Sequence, residues 1–293
     1  MRGFSEATER LCRADSGIMD GIGLRFDEIA ELYDRVRPGY PAQLYDDITA
    51  LAGARPGTRV LEVGCGPGQA TRDLLARGWQ VHAVEPGAAL AERAVKNNPA
   101  LTVDIARFED WKPHGIPYDM LFSATAFHWV APEVRWQRAA AVLEPGGALV
   151  LTTNRTVAGG AFTEVYRASA DLHASFAPEI EFGLPVTARS ILDEVHAAAP
   201  DIGAIWQSAE ERKTGPNLAG PLFTPPEIRS YEWEIAYDTA DAVGLLSTYS
   251  AYLRVPTERR ERLLDGIADI IRTDFGGTVT RRYLAVLAVA RRR

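Results

Sequence analysis

Short apolar runs alternate along this chain with stretches in which apolar residues recur at helical spacing. Phe26, Ile29, Ala30 and Tyr33 share one face of a predicted helix over 26–33. The breaker Arg37-Pro-Gly-Tyr-Pro41 follows, and then a helix from Ala42 to Ala52. Strands are predicted at Arg59–Cys65, Gln80–Glu85, Leu101–Ala106, Tyr118–Ala124 and Ala148–Thr153, the last after a turn at Glu144-Pro-Gly-Gly147. Helices at Gln69–Arg77, Ala88–Asn97 and Pro132–Leu143 fall between them. Such alternation demands right-handed crossovers, hence a parallel sheet covered on both faces, with any ligand outside the carboxyl ends of the strands.

The pattern changes after Asn154. Phe162, Val165, Tyr166, Ser169, Leu172 and Phe176 mark one helix and Ile191, Val195 and Ala198 another, before a stretch rich in proline and glycine over 215–226. Ile228–Tyr237 and Tyr283–Ala290 read as strands. Between them Leu263, Leu264, Ile267, Ile270 and Ile271 share a helix face that Gly276-Gly277 stops. The fold class expected is α/β: a Rossmann-like, seven-stranded, mostly parallel sheet with helices on both faces and a mainly helical cap insertion. The division expected is a loose arm (1–24), lid helices (25–58), a binding core (59–154), the cap (155–225) and the closing part of the sheet domain (226–293). Met19 is a candidate start, since the periodic pattern begins only at Phe26.

Composition narrows this picture. With 293 residues, 46% of them hydrophobic, the chain is neither a disordered tail, a collagen repeat nor a disulfide scaffold. A net charge of −7 weighs against a duplex nucleic-acid partner. Two cysteines, Cys12 and Cys65, are too few for a staple framework or a cysteine-rich zinc site. His82, His114, His173 and His196 lack metal-ligand spacing, so no metal is expected. No apolar run approaches the roughly 18 residues of a membrane span. Glu6, Glu9, Arg10, Arg13 and Asp15 break up any signal-peptide core, so a cytoplasmic location is expected.

Val60-Leu-Glu-Val-Gly-Cys-Gly-Pro-Gly68 is the strongest local signal, a strand entering a glycine-rich turn and a helix. Glycines at 64, 66 and 68 let the backbone adopt positive φ and touch a ligand. The spacing departs from the dinucleotide pattern Gly-x-Gly-x-x-Gly, because the third glycine comes one residue early and Gln69 follows it. No Gly-Lys-Ser/Thr follows either, which excludes a phosphate-cradling P-loop. Glu85 closes the second strand about 20 residues after Gly64, the offset at which a carboxylate accepts both hydroxyls of a ribose.

These residues resemble motif I, and Glu85 the second-strand acid, of class I S-adenosylmethionine-dependent methyltransferases. Arg107-Phe-Glu-Asp110, Tyr118–Trp129 and Leu143-Glu-Pro-Gly-Gly147 resemble that family's later landmarks, in order. Phe127-His-Trp129 and the leading Tyr33…Arg37-Pro-Gly-Tyr40 are similar to a bacterial small-molecule group related to trans-aconitate methyltransferases. The resemblance implies S-adenosyl-L-methionine as cofactor. It implies that Gly64, Cys65, Gly66 and Gly68 lie against it, Glu62 bonds its amino group, and Glu85 with Pro86 holds the ribose. Phe108 and Glu109 then border the adenine, and Ser123 and Ala124 face the methionyl portion. Cys65 is a loop residue and no nucleophile.

Tyr33 and Tyr40 are candidates for aromatic faces near a sulfonium, or else helix and turn packing. Arg37 offers a planar fork for a carboxylate, or caps a turn. His128 stands where a methyl acceptor is expected, as a base, a substrate contact or a packing residue. Trp129, Phe162 and Tyr166 are candidate walls of the acceptor pocket. The expected function is methyl transfer to a small-molecule acceptor, oxygen (carboxylate or hydroxyl) favoured, by a monomer or homodimer with no membrane partner. The alternatives are an N- or C-methyltransferase of natural-product biosynthesis, or a cofactor-binding protein without methyl transfer. Nucleic-acid methylation is disfavoured, because Ser123-Ala-Thr-Ala-Phe-His128 stands where base-amine methyltransferases carry Asn/Asp-Pro-Pro-Tyr.

Overall fold

The computed structural model describes residues 29–113, 115–180, 183–206 and 219–293. Phe26, Cys12, Met19 and His114, invoked above, lie outside them, as do the whole arm and the start of the lid segment.

The chain divides into two compact units. The first, here the sheet unit, comprises 39–154, 192–231 and 285–293. Helix α2 (Ala42–Ala52) leads into β1 (Arg59–Val63), α3 (Gln69–Ala76), β2 (Gln80–Glu85), α4 (Ala88–Asn97), β3 (Thr102–Ile105) and β4 (Tyr118–Ala124). A 3-10 turn at Phe127–Trp129 and α5 (Arg135–Val142) then feed β5 (Leu143–Thr156). β1 pairs in parallel with β2 and β4, β2 with β3, and β4 with β5. The seven strands lie in the order β3-β2-β1-β4-β5-β7-β6, where β6 is Glu227–Asp238 and β7 is Thr278–Arg291. The strand order reverses between β1 and β4, the place where open α/β sheets bind ligands. Leu61, Val63, Leu121, Leu149 and Leu151 are buried with Phe127 and Trp136, whose rings are 5.3 Å apart. Each such side chain contributes roughly 1.5–3 kcal/mol of burial.

The second, helical unit comprises 30–38 among its described N-terminal residues, together with 155–191 apart from 181–182, and 232–284. It holds α1 (Ala30–Val36), α6 (Ala161–Ala168), α7 (Ala170–Phe176), α10 (Thr239–Ser247), α11 (Ser250–Arg254) and α12 (Thr257–Asp274). Its core joins Val36, Phe162, Val165, Leu245, Leu246, Leu263, Ile267 and Ile271. Helix α8 (Ala188–Ala198) begins in this unit and continues into the sheet unit, which also holds α9 (Ile202–Trp206). The stretch 155–225 is thus divided between the two units after Ile191.

Four local expectations need correction. The first helix is described at Ala30–Val36 and ends at Arg37, as expected before a proline. The single helix expected through Ser169 is two, since Ser169 leaves helical geometry at φ −93°, ψ 8°. The turn at Glu144–Gly147 is drawn into β5 as a register shift, and the strand starts at Leu143. Helices α10 and α11 have no counterpart in the periodicity, because α10 is apolar nearly all round. The cap is legible all the same: the Asp238 carboxylate accepts from the Asp241 N–H at 2.8 Å.

Candidate functional site

The carboxyl ends of β3, β2, β1 and β4 form one edge of the sheet unit, and four features meet there. Gly64 leaves β1 with φ 73°, and a Cβ on it would lie 2.4 Å from the Ala126 Cβ beyond β4. Only glycine permits that approach. Gly66 is also left-handed at φ 54°, yet a Cβ there meets nothing within 4 Å, so this turn of backbone faces open space. Gly68, at φ 86°, starts α3.

Glu85 fastens the loop. Its Oε2 accepts from the Gly66 N–H at 3.0 Å and its Oε1 from the Gly87 N–H at 2.9 Å. Glu62 is buried, and its Oε2 accepts from the Thr71 hydroxyl at 2.6 Å. Burial pushes its pKa up to about 7, Thr71 opposes the shift, and the neighbouring Glu85 adds to it. Burial, with Glu62 and Glu85, also holds the Cys65 thiol well above its ordinary range, so it is no thiolate. Pro86 is exposed beside Glu85.

The remaining sequence candidates divide. Phe108 is 3% exposed and packs in the core with Trp111, Phe127 and Trp136. Glu109 accepts from the Ala131 N–H at 2.8 Å, and Ser123, fully buried, donates to the Val63 carbonyl at 2.7 Å. Both side chains tie neighbouring elements together. Ala124 is half-buried at the end of β4. Tyr40 has its hydroxyl 2.6 Å from the Thr125 Oγ1, and the Asn154 side-chain amide donates to the Gly39 carbonyl at 2.8 Å. Thr125 is the non-glycine residue with positive φ, 54°, among the described residues. For a β-branched residue this conformation is strained, and it sits at the sheet edge where strain is commonly found at sites.

His128 and Trp129 lie in the 3-10 turn with rings 5.0 Å apart. Low-dielectric surroundings, and then the Arg135 guanidinium, lower the His128 pKa to about 4. It is therefore neutral near pH 7 and a feeble base.

Tyr33, Arg37, Phe162 and Tyr166 belong to the helical unit. The Arg37 guanidinium donates to the Thr248 hydroxyl and carbonyl, both at 2.8 Å, and stacks on Tyr33 and Tyr249 at 4.8 and 4.3 Å. Phe162 is enclosed in that unit's core, with Tyr166 5.5 Å away. Both rings pack on Arg281, a residue the sequence reading passed over. Its signal was nonetheless present: Val279, Arg281 and Tyr283 alternate onto the buried face of β7. Thr125 and Asn154 carried no such signal. Ile105 did, as an apolar residue in register with Glu85 yet 58% exposed.

Among the described residues no cluster of His, Cys, Asp or Glu could hold a metal, and no helix is long and apolar enough to cross a membrane. Residues 60–147, which hold the glycine loop, match the family model of a methyltransferase domain. S-adenosylmethionine is the cofactor of that family. The chain is 33% identical over 136 residues to an uncharacterized methyltransferase of Geobacillus kaustophilus, covering 43% of this chain and 63% of that one. It is 34% identical over 97 residues to a trans-aconitate 2-methyltransferase of Rhodopseudomonas palustris, covering 32% and 37%. The chain thus spans less than two thirds of the length of these curated relatives. A provisionally assigned type II methyltransferase structure from Anaeromyxobacter dehalogenans is similar over 87% of this chain and 97% of its own, with TM-score 0.56 and 25% identity.

The residues at the sheet edge fit that cofactor. The buried Glu62 has its Oε2 bonded to Thr71 and can take a cation, and the Gly66 turn faces the open space a ligand would fill.

Proposed function

We propose that this protein transfers a methyl group from S-adenosylmethionine to a small-molecule acceptor, with oxygen favoured. The observation that carries the reading is the Gly64–Gly68 loop, open at Gly66 and fixed by Glu85 beside the buried Glu62. When bound, the cofactor supplies a methyl already activated on a sulfonium. The protein's share is then alignment and exclusion of water.

Glu62 pairs with the cofactor's ammonium, which returns the carboxylate to its ionised form. Glu85 accepts the ribose hydroxyls while still holding Gly66 and Gly87. Ile105 offers the adenine an apolar face beside Glu85, Glu109 and the buried Phe108 back that segment, and Ser123 and Ala124 set the floor below the methionyl chain. Tyr40, held by Thr125, presents a ring at the end of β4; a face toward a sulfonium is worth about 0.5–2 kcal/mol.

His128 bears on the acceptor. Moving a proton from a phenol of pKa about 10 to an imidazole of pKa about 4 runs uphill by roughly 8 kcal/mol. His128 is thus better suited to orient an acceptor than to deprotonate one, with Trp129 as a wall. A carboxylate acceptor arrives already ionised and needs no base, which favours oxygen. We read the protein as a cytoplasmic monomer or homodimer with no nucleic-acid substrate.

Labelled-methyl transfer against panels of carboxylic acids, phenols and amines tests the reading. Carboxylic acids are expected to lead. Methylation of amines alone overturns the oxygen assignment, and cofactor binding with no transfer to any class overturns the enzyme.

A further inference from the structure

The helical unit contains a buried cation with no counter-ion among the described residues. Arg281 is 3% exposed. Its Nη2 donates to the Thr156 hydroxyl at 2.8 Å, while Nε and Nη1 are buried with no hydrogen-bond partner. The guanidinium carbon lies 4.6 Å from the ring centroid of Phe162, 5.3 Å from Tyr249, 5.6 Å from Tyr283 and 5.7 Å from Tyr166. No carboxylate among the described residues pairs with it.

The tyrosines cannot supply the missing charge. Burial raises the pKa of Tyr166, Tyr237, Tyr252 and Tyr283, so they stay neutral. The Tyr252 hydroxyl is bonded to His173 at 2.8 Å, and the Tyr237 hydroxyl lies 3.2 Å from that of Tyr283. Arginine cannot escape by losing its proton. Cation–π contacts offset part of the desolvation, but a buried charge without an opposite charge remains costly, and its Nε and Nη1 donors have no partner among the described residues. The Arg37 guanidinium also lies against Tyr249, 4.3 Å from its ring centroid.

We propose that Arg281, within the cage of Phe162, Tyr166, Tyr249 and Tyr283, is a binding site for the carboxylate of a small organic acid. One cation unpaired among the described residues matches one negative charge, which favours a monocarboxylate over a dianion such as phosphate. Tyr166 and Tyr249 are partly exposed and are the rings an entering ligand moves. The site lies wholly within the helical unit and does not depend on methyl transfer.

The test is the thermal unfolding of the full chain, without S-adenosylmethionine, in millimolar acetate, benzoate, benzamide or inorganic phosphate. A ligand that binds only the folded state raises Tm, by a few degrees for this size of chain once its concentration well exceeds Kd. Acetate and benzoate are expected to raise Tm and benzamide is not. Arg281→Met should match or exceed the wild-type Tm in buffer and lose the response; Arg281→Lys should keep a weaker one. An equal rise with benzamide, a response to phosphate alone, no response to either carboxylate, or an undiminished response in Arg281→Met overturns the proposal. Should Arg281→Met fail to fold, nitrogen-15 spectra of arginine-labelled wild type decide. Benzoate must then shift the Arg281 Nε–H resonance, and a static resonance refutes the site.

Discussion

The two units solve burial of charge in opposite ways. At the edge of the sheet unit the buried ionisable groups are acids, Glu62 and Glu85, met by a hydroxyl and by backbone N–H groups. In the helical unit the buried group is a cation, Arg281, met by rings and one hydroxyl. Among the described residues neither Glu62 nor Arg281 forms an ion pair. The contrast underlies both proposals, each of which places a ligand of opposite sign against a buried charge. The acids suit a cofactor carrying an ammonium and a ribose, and the cation suits an organic acid.

The largest expected effect breaks the sheet side of this contrast. Gly64→Ala meets both left-handed strain and the Ala126 methyl, and should lose about 2–4 kcal/mol in urea unfolding. Gly66→Ala faces open space and should lose only about 1 kcal/mol, for the strain of positive φ alone. Titration calorimetry should nonetheless show a tenfold or greater loss of S-adenosylmethionine affinity. Gly66→Ala with undiminished affinity would mean that this turn is not the cradle.

Next comes the charge itself. Glu62 is raised from its ordinary 4.5 to about 7 in the folded chain, so between those values the folded form holds more protons than the unfolded one. The stability it permits is fully present below pH 4.5 and is lost as pH rises through 7, by about 3 kcal/mol in all. Glu62→Gln should flatten that dependence and be the more stable protein at pH 8, while binding S-adenosylmethionine more weakly. Wild type that gains stability from pH 5 to 8 as strongly as the variant would show that Glu62 is ionised without a ligand.

His128 shifts the other way. Its folded pKa of about 4 lies below the ordinary 6.5, so its contribution is present above pH 6.5 and is lost as pH falls through 4. The side chain is half-buried, which keeps the effect smaller than that of Glu62. With a carboxylic acid acceptor, His128→Gln should leave the shape of the pH–rate profile above pH 6 unchanged. A lost inflection near pH 7 would restore the base role. Tyr40→Phe, which removes the 2.6 Å contact to Thr125, should cost no more than about 1 kcal/mol in stability. Its effect should fall on KM for the cofactor before kcat.

Much of the sheet unit was legible because its information is local. Strand–helix alternation, the glycine spacing and the position of Glu85 each follow from a few neighbouring residues, and backbone sterics and crossover handedness do the rest. The sequence thereby determined the α/β class, the sheet edge that can take a ligand, and the match of residues 60–147 to a methyltransferase domain. Pairings between residues distant in the chain were decided only by tertiary structure. Phe108, expected to border the adenine, lies buried in a core, Tyr40 found Thr125 85 residues away, and Arg37 found Thr248 211 residues away. Arg281 shows the division within one residue. Alternation along β7 put an arginine on the buried face, but only packing could surround it with rings and leave it with no carboxylate partner among the described residues. Local pattern sets which face a side chain takes; what waits on that face depends on segments whose spacing in the chain says nothing of their distance in space.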